Sequence, residues 1–184
     1  GWDTGFDQYT QNGTSGSSFL GGFSATLTDE IAFTYITTFG DFGARSDGQF
    51  YRSGAARVAA QTGVNDDSAY SHSLVFDVAV TENLNYVFQS DLVAVRNGVG
   101  HDQVGINQYL FYTLNDCAAV GSRLEWWKNE GQSFQAMTYG LNYRPHANVV
   151  VRPEIRYDWT SADNGYGAGR DSETTFGIDM VFTY

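Results

Sequence analysis

Charged side chains recur at every second position in the second half of the sequence. Between residues 149 and 159, arginine and carboxylate side chains alternate with apolar ones, and an Arg and a Glu two positions apart precede them. Such side chains can pair with one another, or they can orient water and bias the movement of ions past them. With Arg144, which shares the phase, the set is Arg123, Glu125, Arg144, Arg152, Glu154, Arg156 and Asp158.

Catalytic and metal chemistry find little support in the same sequence. The three histidines fall on a predicted strand, a loop and a turn, and no nucleophile stands beside a base. The acidic loops do not have the spacing of a calcium-binding EF-hand. We therefore expect no enzyme activity, no catalytic residues, no cofactor and no metal.

An alternation with a period of two puts one set of side chains on each face of a β-strand. In the last eleven residues, Phe176, Ile178, Met180, Phe182 and Tyr184 alternate with mostly small or polar residues. The same pattern predicts nine strands of ten to thirteen residues. They lie at about 18–27, 31–43, 70–80, 84–94, 103–114, 118–127, 133–144, 149–159 and 174–184.

The lengths of the strands and of their connections indicate a membrane protein. A tilted strand needs ~9–11 residues to cross a bilayer, whereas strands of soluble proteins average ~5–6. Four short turns (28–30, 81–83, 115–117, 145–148) alternate with longer loops (44–69, 95–102, 128–132, 160–172). This pattern predicts an all-β fold, an antiparallel up-and-down transmembrane β-barrel.

Inside such a barrel, the polar face of each strand lines the lumen, because a Lys or Arg on the lipid face costs ~2–4 kcal/mol near the midplane. The predicted pore-lining residues are Asp77, Asp91, Arg123, Glu125, Arg144, Arg152, Glu154, Arg156, Asp158 and Asp179. Asp77, Asp91 and Asp179 suggest an acidic wall that favours cations, an effect that the basic residues oppose. An alternative is that the charges pair across strands and fill a narrow interior.

Composition limits the partners. The formal net charge is −11, which argues against a nucleic-acid partner because such a partner requires a basic face. Aromatic residues make up 16% of the chain, and those near strand ends are expected at the lipid headgroups. The predicted girdle consists of Tyr35, Tyr86, Tyr112, Trp126, Tyr143, Trp159 and Tyr184.

The run GLNYRPHANVVVRPEIRYDW (140–159) resembles a motif of the OmpL-like β-barrel porins of bacterial outer membranes. The stretches 1–9 and 106–127 and the aromatic C-terminus are similar to the same family. The resemblance implies passive passage of small hydrophilic solutes, with membrane lipids and the outer-membrane assembly machinery as partners. It also implies an assembly signal carried by Met180, Phe182 and Tyr184. Self-association into a homo-oligomer is left open.

Strand parity predicts that the C-terminus and the short turns are periplasmic and that the longer loops are external. Counting backward, residues 1–9 become the top of an upward strand whose beginning is absent. Bacterial single-chain barrels have an even number of strands, so either residues 1–9 serve as a stunted tenth strand or the chain is part of a larger barrel, and we favour the second. We therefore expect one β-barrel domain over residues 1–184 that forms the C-terminal part of a larger barrel.

Two other functions are compatible with the pattern, and one local feature is awkward. A plugged structural or adhesive barrel would bind a partner through its external loops. A soluble ligand-binding barrel of the lipocalin type would turn its apolar face inward. Pro153 falls in the middle of a strand, where it removes a ladder hydrogen bond, and we expect a bulge there.

Overall fold

The computed structural model describes residues 2–3, 18–41, 68–95, 102–129, 131–162, 165–166 and 169–183. Those residues form ten strands and no helix. The strands are β1 (Trp2–Asp3), β2 (Ser18–Thr26), β3 (Ile31–Asp41), β4 (Ser68–Ala79), β5 (Leu84–Val95), β6 (Gln103–Asn115), β7 (Ala118–Asn129), β8 (Gln132–His146), β9 (Val149–Thr160) and β10 (Ser172–Phe182).

All ten strands belong to one antiparallel sheet, in which each strand pairs with its neighbours in sequence. This confirms the predicted up-and-down topology, with nine long strands and a short N-terminal one. Within the described residues, β10 pairs only with β9 and β1 only with β2, so the two edges of the sheet do not meet. No helix in the described part of the chain has the length and hydropathy needed to cross a membrane.

The sheet has one polar and one apolar face. The pairs Arg123↔Thr138 and Thr138↔Arg156 show that the charged side chains of β7 and β9 share a face. Cavities of about 560 and 600 Å³ open on this polar face. On the opposite, apolar face, Phe176 is 69% exposed and Phe182 65% exposed. Exposed hydrophobic surface of this extent marks a surface that contacts lipid.

The described residues contain almost no hydrophobic core. Ala136 and Ala162 are the only buried apolar side chains among them. A soluble barrel with its apolar face inward would bury many large apolar side chains. The arrangement is therefore the reverse of the lipocalin-type alternative.

The first two short turns, at 28–30 and 81–83, have the same pattern of hydrogen bonds from the backbone to a threonine side chain. The hydroxyl of Thr28 accepts hydrogen bonds from the backbone N–H groups of Glu30 and Ile31, at 3.2 and 3.1 Å. The hydroxyl of Thr81 does the same for Asn83 and Leu84, at 3.3 and 3.0 Å. A threonine at the start of such a tripeptide binds the N–H groups of the turn through its side chain, in addition to the backbone bonds from Ile31 to Thr28 and from Leu84 to Thr81, and so stabilises the reversal of the chain.

Two local predictions were wrong. The turn expected at 145–148 is shorter, because β8 continues to His146, which pairs with Val149 across a register shift. The bulge expected at Pro153 does not occur there. The β9–β10 pairing is regular through Ile178↔Pro153, and the β8–β9 register is the same on either side of Pro153. The ladder between β8 and β9 is instead interrupted at residues 152 and 153 without a change of register, which is the effect expected from the missing N–H of proline.

Candidate pore-lining site

A group of four charged side chains lies at the centre of the polar face. Arg156 donates from Nε to both Asp158 oxygens at 2.9 Å, and its Nη1 contacts Glu125. The Nε of Arg123 lies 3.1 Å from Oε2 of the same Glu125. We call Arg123, Glu125, Arg156 and Asp158 the charge quartet. Its two positive and two negative charges cancel.

The quartet spans three strands because the strand between its members carries small side chains. Arg156 lies on β9 and Glu125 on β7, so their contact passes over β8. On the polar face of β8, Ala136 is 3% exposed and Thr138 6% exposed. β7 and β9 are two strand spacings apart, ~9.6 Å. The long arginine and glutamate side chains can reach each other across this distance because the side chains of β8 between them are small.

A second ion pair lies closer to the short-turn end of the sheet. Arg152 donates from Nε to Oδ1 of Asp179 at 2.8 Å and from Nη2 to Oδ2 at 2.5 Å. The residues pair directly across β9 and β10. This two-point geometry fixes both side chains on the polar face.

The segment after β9 folds onto the polar face at the loop end of the sheet. The Thr160 hydroxyl donates to the Ser133 carbonyl at 2.7 Å and accepts from the Ala162 N–H at 3.0 Å. Gly165 follows, where an added Cβ would lie 2.4 Å from Cγ2 of Thr160. Only glycine allows the chain to approach Thr160 this closely.

Tyr166 is the side chain that this segment brings to the polar face. Its ring contacts Phe134 edge-on with 6.5 Å between centroids, and Phe134 contacts Trp127 at 5.2 Å. Burial raises the pKa of the Tyr166 phenol, and the charge of Asp158 raises it further, while Arg156 opposes the shift. We call Trp127, Phe134 and Tyr166 the mouth cluster. It lines the 600 Å³ cavity together with Glu125, Arg156 and Asp158.

The structure places all ten predicted pore-lining residues on the polar face, in several different settings. Four form the charge quartet and two form the Arg152–Asp179 pair. Glu154 lines the 560 Å³ cavity, and Arg144 lines a cavity near the turn between β6 and β7. The last two, Asp77 and Asp91, accept hydrogen bonds from the amides of Asn85 and Gln89, at 2.7 and 2.8 Å.

The three aspartates do not form the predicted acidic wall. Asp77 and Asp91 lie on neighbouring strands, β4 and β5, whereas Asp179 lies on β10 at the far side of the sheet. Its charge is also neutralised by Arg152. The alternation of residues along a strand assigns each aspartate to the polar face, but it does not say how far apart two strands lie in the sheet.

The predicted girdle residues that the structure describes all lie on the apolar face. Two of them satisfy polar groups there, since the Tyr86 hydroxyl donates to Gln108 at 2.9 Å and the Trp126 indole to Ser133 at 3.3 Å. Met180 and Phe182 are exposed on the same face of β10. Tyr184 lies outside the described residues. The headgroup depth of the girdle and the assembly signal stay predictions.

Aromatic side chains on the polar face were missed in the sequence. Trp127 and Phe134 of the mouth cluster lie there, as do Tyr109 and Phe111, whose rings are nearly parallel at 6.1 Å. A signal was present, because Tyr109 and Phe111 are in phase with Asn107, and Trp127 is in phase with Glu125.

The model of the OmpL-like β-barrel porin-2 family, BBP2, matches residues 1–184, the whole length of the sequence. The chain belongs to this family. The match confirms the resemblance found in residues 140–159 and makes the protein an outer-membrane porin-like channel. Among curated proteins, none matches this porin significantly.

Solved structures with the same fold are outer-membrane proteins. A KdgM porin shares 11% identity with a TM-score of 0.50, and the match covers 92% of this porin and 76% of that chain. OmpT of Vibrio cholerae, folded in vitro or expressed in the outer membrane, shares 12% identity with TM-scores of 0.56 and 0.54. These matches cover 90% of this porin but only 56% of each OmpT chain. At such identities the likeness concerns the fold alone.

Proposed function

We propose that the polar face lines a water-filled lumen through which small hydrophilic solutes or ions pass by passive diffusion. The observation that carries the proposal is the division of the sheet into two faces. The charge quartet and the Arg152–Asp179 pair occupy one face, and large exposed apolar side chains occupy the other. Charges are stable in a membrane protein where they face water or one another, which assigns the polar face to the lumen.

The paired charges would give the lumen a transverse field with little net potential. Positive and negative groups alternate within a few ångströms in the quartet, so their fields cancel at a distance. Such a lining orders water and admits both signs of ion. Weak selectivity is therefore the expected property of the centre of the lumen.

The segment between β9 and β10 would narrow the mouth. The hydrogen bond from the Ser161 N–H to the Ser133 carbonyl, at 3.4 Å, and the ring contact of Tyr166 with Phe134 support this proposal. Residues 44–67 of the other long predicted loop lie outside the described residues. In this proposal the short turns are periplasmic and the longer loops external.

We further propose that other strands complete the barrel. Within the described residues, the outer edge of β10 and most of the outer edge of β2 lack a partner. Unpaired backbone groups cannot face lipid, so both edges must be covered in the membrane. Eight-stranded barrels are filled by their own side chains, whereas ~16–18 strands leave an aqueous channel. The covering strands could belong to a longer chain or to a second copy.

The assignment of the faces is testable with two adjacent substitutions. Thr175→Lys adds a charge to the polar face of β10, and Phe176→Lys adds the same charge to the apolar face. The second variant should lose ~2–4 kcal/mol of stability in the bilayer, while the first should remain close to wild type. Urea titration of the protein folded in lipid vesicles measures both. Equal losses in the two variants would contradict the proposed lumen.

Conduction is tested in a planar bilayer with the protein refolded in detergent. Stepwise, ohmic currents that fall when poly(ethylene glycol) enters the lumen would support passive diffusion. Insertion without current, in this chain and in a longer one, would refute it and favour a plugged barrel that binds a partner through its loops. Current from the longer chain alone would support the proposed additional strands.

A further inference from the structure

Two groups of aromatic side chains follow one another along the polar face, with the charge quartet between them. The mouth cluster lies at the loop end. Tyr109 pairs with Arg123 at the short-turn side of the quartet, and Phe111 lies beyond the quartet toward the short turns, since it pairs with Gly121. The Arg152–Asp179 pair follows. Aromatic and charged groups therefore alternate along the length of the lumen side.

The ring of Phe111 packs over Gly121 of the neighbouring strand, where there is no side chain. A Cβ added at Gly121 would lie 3.0 Å from Cδ1 and 3.2 Å from Cε1 of the Phe111 ring. The ring thus lies over Gly121 and remains 42% exposed, while Trp127 in the mouth cluster remains 41% exposed. Both rings present open surface to the lumen side.

The cavity beside Tyr109 and Phe111 contains a buried polar atom with no partner. The Thr138 hydroxyl makes no hydrogen bond within the described residues. Thr138 is only 6% exposed and lines the 560 Å³ cavity. A buried polar group without a partner is costly, so its presence indicates a ligand or ordered water with hydroxyl-like hydrogen bonding.

The mouth cluster, the charge quartet, Tyr109, Phe111 and the Arg152–Asp179 pair together form a row of side chains that we call the path. We propose that this path binds neutral saccharides. A sugar ring has apolar C–H faces that pack on aromatic rings and a rim of hydroxyls that hydrogen-bond to charged groups. The path offers both, in alternation. The quartet and the Arg152–Asp179 pair are each neutral, and Glu154 and Asp91 add negative charge to the linings of the two cavities, which disfavours an acidic solute. Cavities of about 560 and 600 Å³ lie in the range of small-molecule sites, ~300–1,000 Å³.

The inference deepens the proposed function, on which it rests, by naming a solute class. It is tested first by binding, without any current. The protein refolded in detergent is titrated with maltotriose and cellotriose while tryptophan fluorescence is recorded. Sorbitol, a polyol without a ring, and glucuronate, a charged sugar, serve as comparison solutes. At least one trisaccharide should bind about tenfold more tightly than either comparison solute.

Phe111→Leu and Trp127→Leu keep apolar bulk but remove the flat ring. Each should weaken binding of that trisaccharide about tenfold. Saturation-transfer NMR provides the readout for Trp127→Leu, which alters the fluorescence itself. Leu110→Ala and Leu124→Ala are the matched controls, because they lie on the same two strands, β6 and β7, but in the opposite phase, on the apolar face. They should leave trisaccharide binding unchanged.

Current recordings separate this inference from the proposed function. Ohmic current that a bound trisaccharide blocks would support both. Ohmic current together with equal binding of trisaccharides and sorbitol would keep the channel and overturn the saccharide path. Trisaccharide binding that depends on Phe111, without current from any chain, would support the path and overturn passive diffusion. Equal weakening by Phe111→Leu and Leu110→Ala would also overturn the path.

Discussion

Arg156 is the side chain whose loss should most directly change the electrical properties of the lumen. Arg156→Gln removes one positive charge from a quartet that is otherwise neutral and leaves a net charge of −1. At ~8 Å in water, a unit charge contributes about 0.5 kcal/mol to the energy of a passing ion. Cations gain this energy and anions lose it, so the two differ by about 1 kcal/mol.

Without screening, that difference corresponds to about a fivefold increase in the cation-to-anion permeability ratio. At 0.1 M salt, where the Debye length is ~10 Å, screening reduces the expected increase in this ratio to about twofold. At 1 M salt the Debye length is ~3 Å and the change should nearly vanish. The measurement is the reversal potential across a bilayer with a tenfold KCl gradient, repeated at both concentrations.

Two controls isolate the charge. The double variant Glu125→Gln/Arg156→Gln restores a neutral site and should return the reversal potential to that of wild type. Arg170→Gln removes the same charge from an exposed loop position, 3.9 Å from Glu173, and should have a smaller effect. A reversal potential that is unchanged in Arg156→Gln at 0.1 M, or that moves toward anions, would refute the assignment of the quartet to the lumen.

Two further predictions concern the sheet and the mouth. Gly22→Ala should weaken the β2–β3 pairing strongly, because its Cβ would lie 2.3 Å from the backbone oxygen of Tyr35. Gly105→Ala, whose Cβ would meet nothing closer than 4.0 Å, should be tolerated; urea titration in vesicles compares them, and equal stability would contradict this account. Because its pKa is raised, the Tyr166 phenol keeps its proton to a higher pH in the folded protein than in the unfolded chain. The contribution of the neutral phenol to the stability of the mouth cluster is complete below pH 10 and is lost as the pH rises through the folded-state pKa. The segment that carries Tyr166 should then leave the polar face, and the single-channel current should increase. Tyr166→Phe should remove this step, and a step that persists in Tyr166→Phe would assign it to another group.

Strand positions and faces could be predicted from the sequence because both depend on a strictly local period. A residue two positions from Glu125 must share its face wherever the strand lies. The polar face was therefore assigned correctly at all ten predicted positions. The turns at Thr28 and Thr81 were equally accessible, since their hydrogen bonds stay within the tripeptide.

Contacts across the sheet could not be predicted in this way. The contact between Arg156 and Glu125 depends on the registers of two pairings and on the small size of Ala136 and Thr138 between them. The position of Phe134 on the polar face was overlooked because aromatic residues were considered only as candidates for the lipid boundary near strand ends. The approach of Tyr166 to the polar face depends on backbone hydrogen bonding of the loop, which has no period to detect.

The centre of the polar face and the ends of the sheet differ in their charge. The four arginines and four carboxylates in ion pairs within the described residues cancel, so the net charge of −11 arises elsewhere in the chain. Asp29, Glu30, Glu82 and Asp116 place part of it at the short-turn end. Charges at the rim attract counter-ions over about one Debye length and are screened by salt, whereas the fields of the neutral ion pairs at the centre cancel at a distance. Asp77, Asp91 and Glu154 add carboxylates to the polar face that have no ion pair among the described residues. Cation preference in wild type should therefore originate at the rims and at these carboxylates and increase as salt is lowered, while the neutral ion pairs select solutes by the shape and hydrogen bonding of the lining.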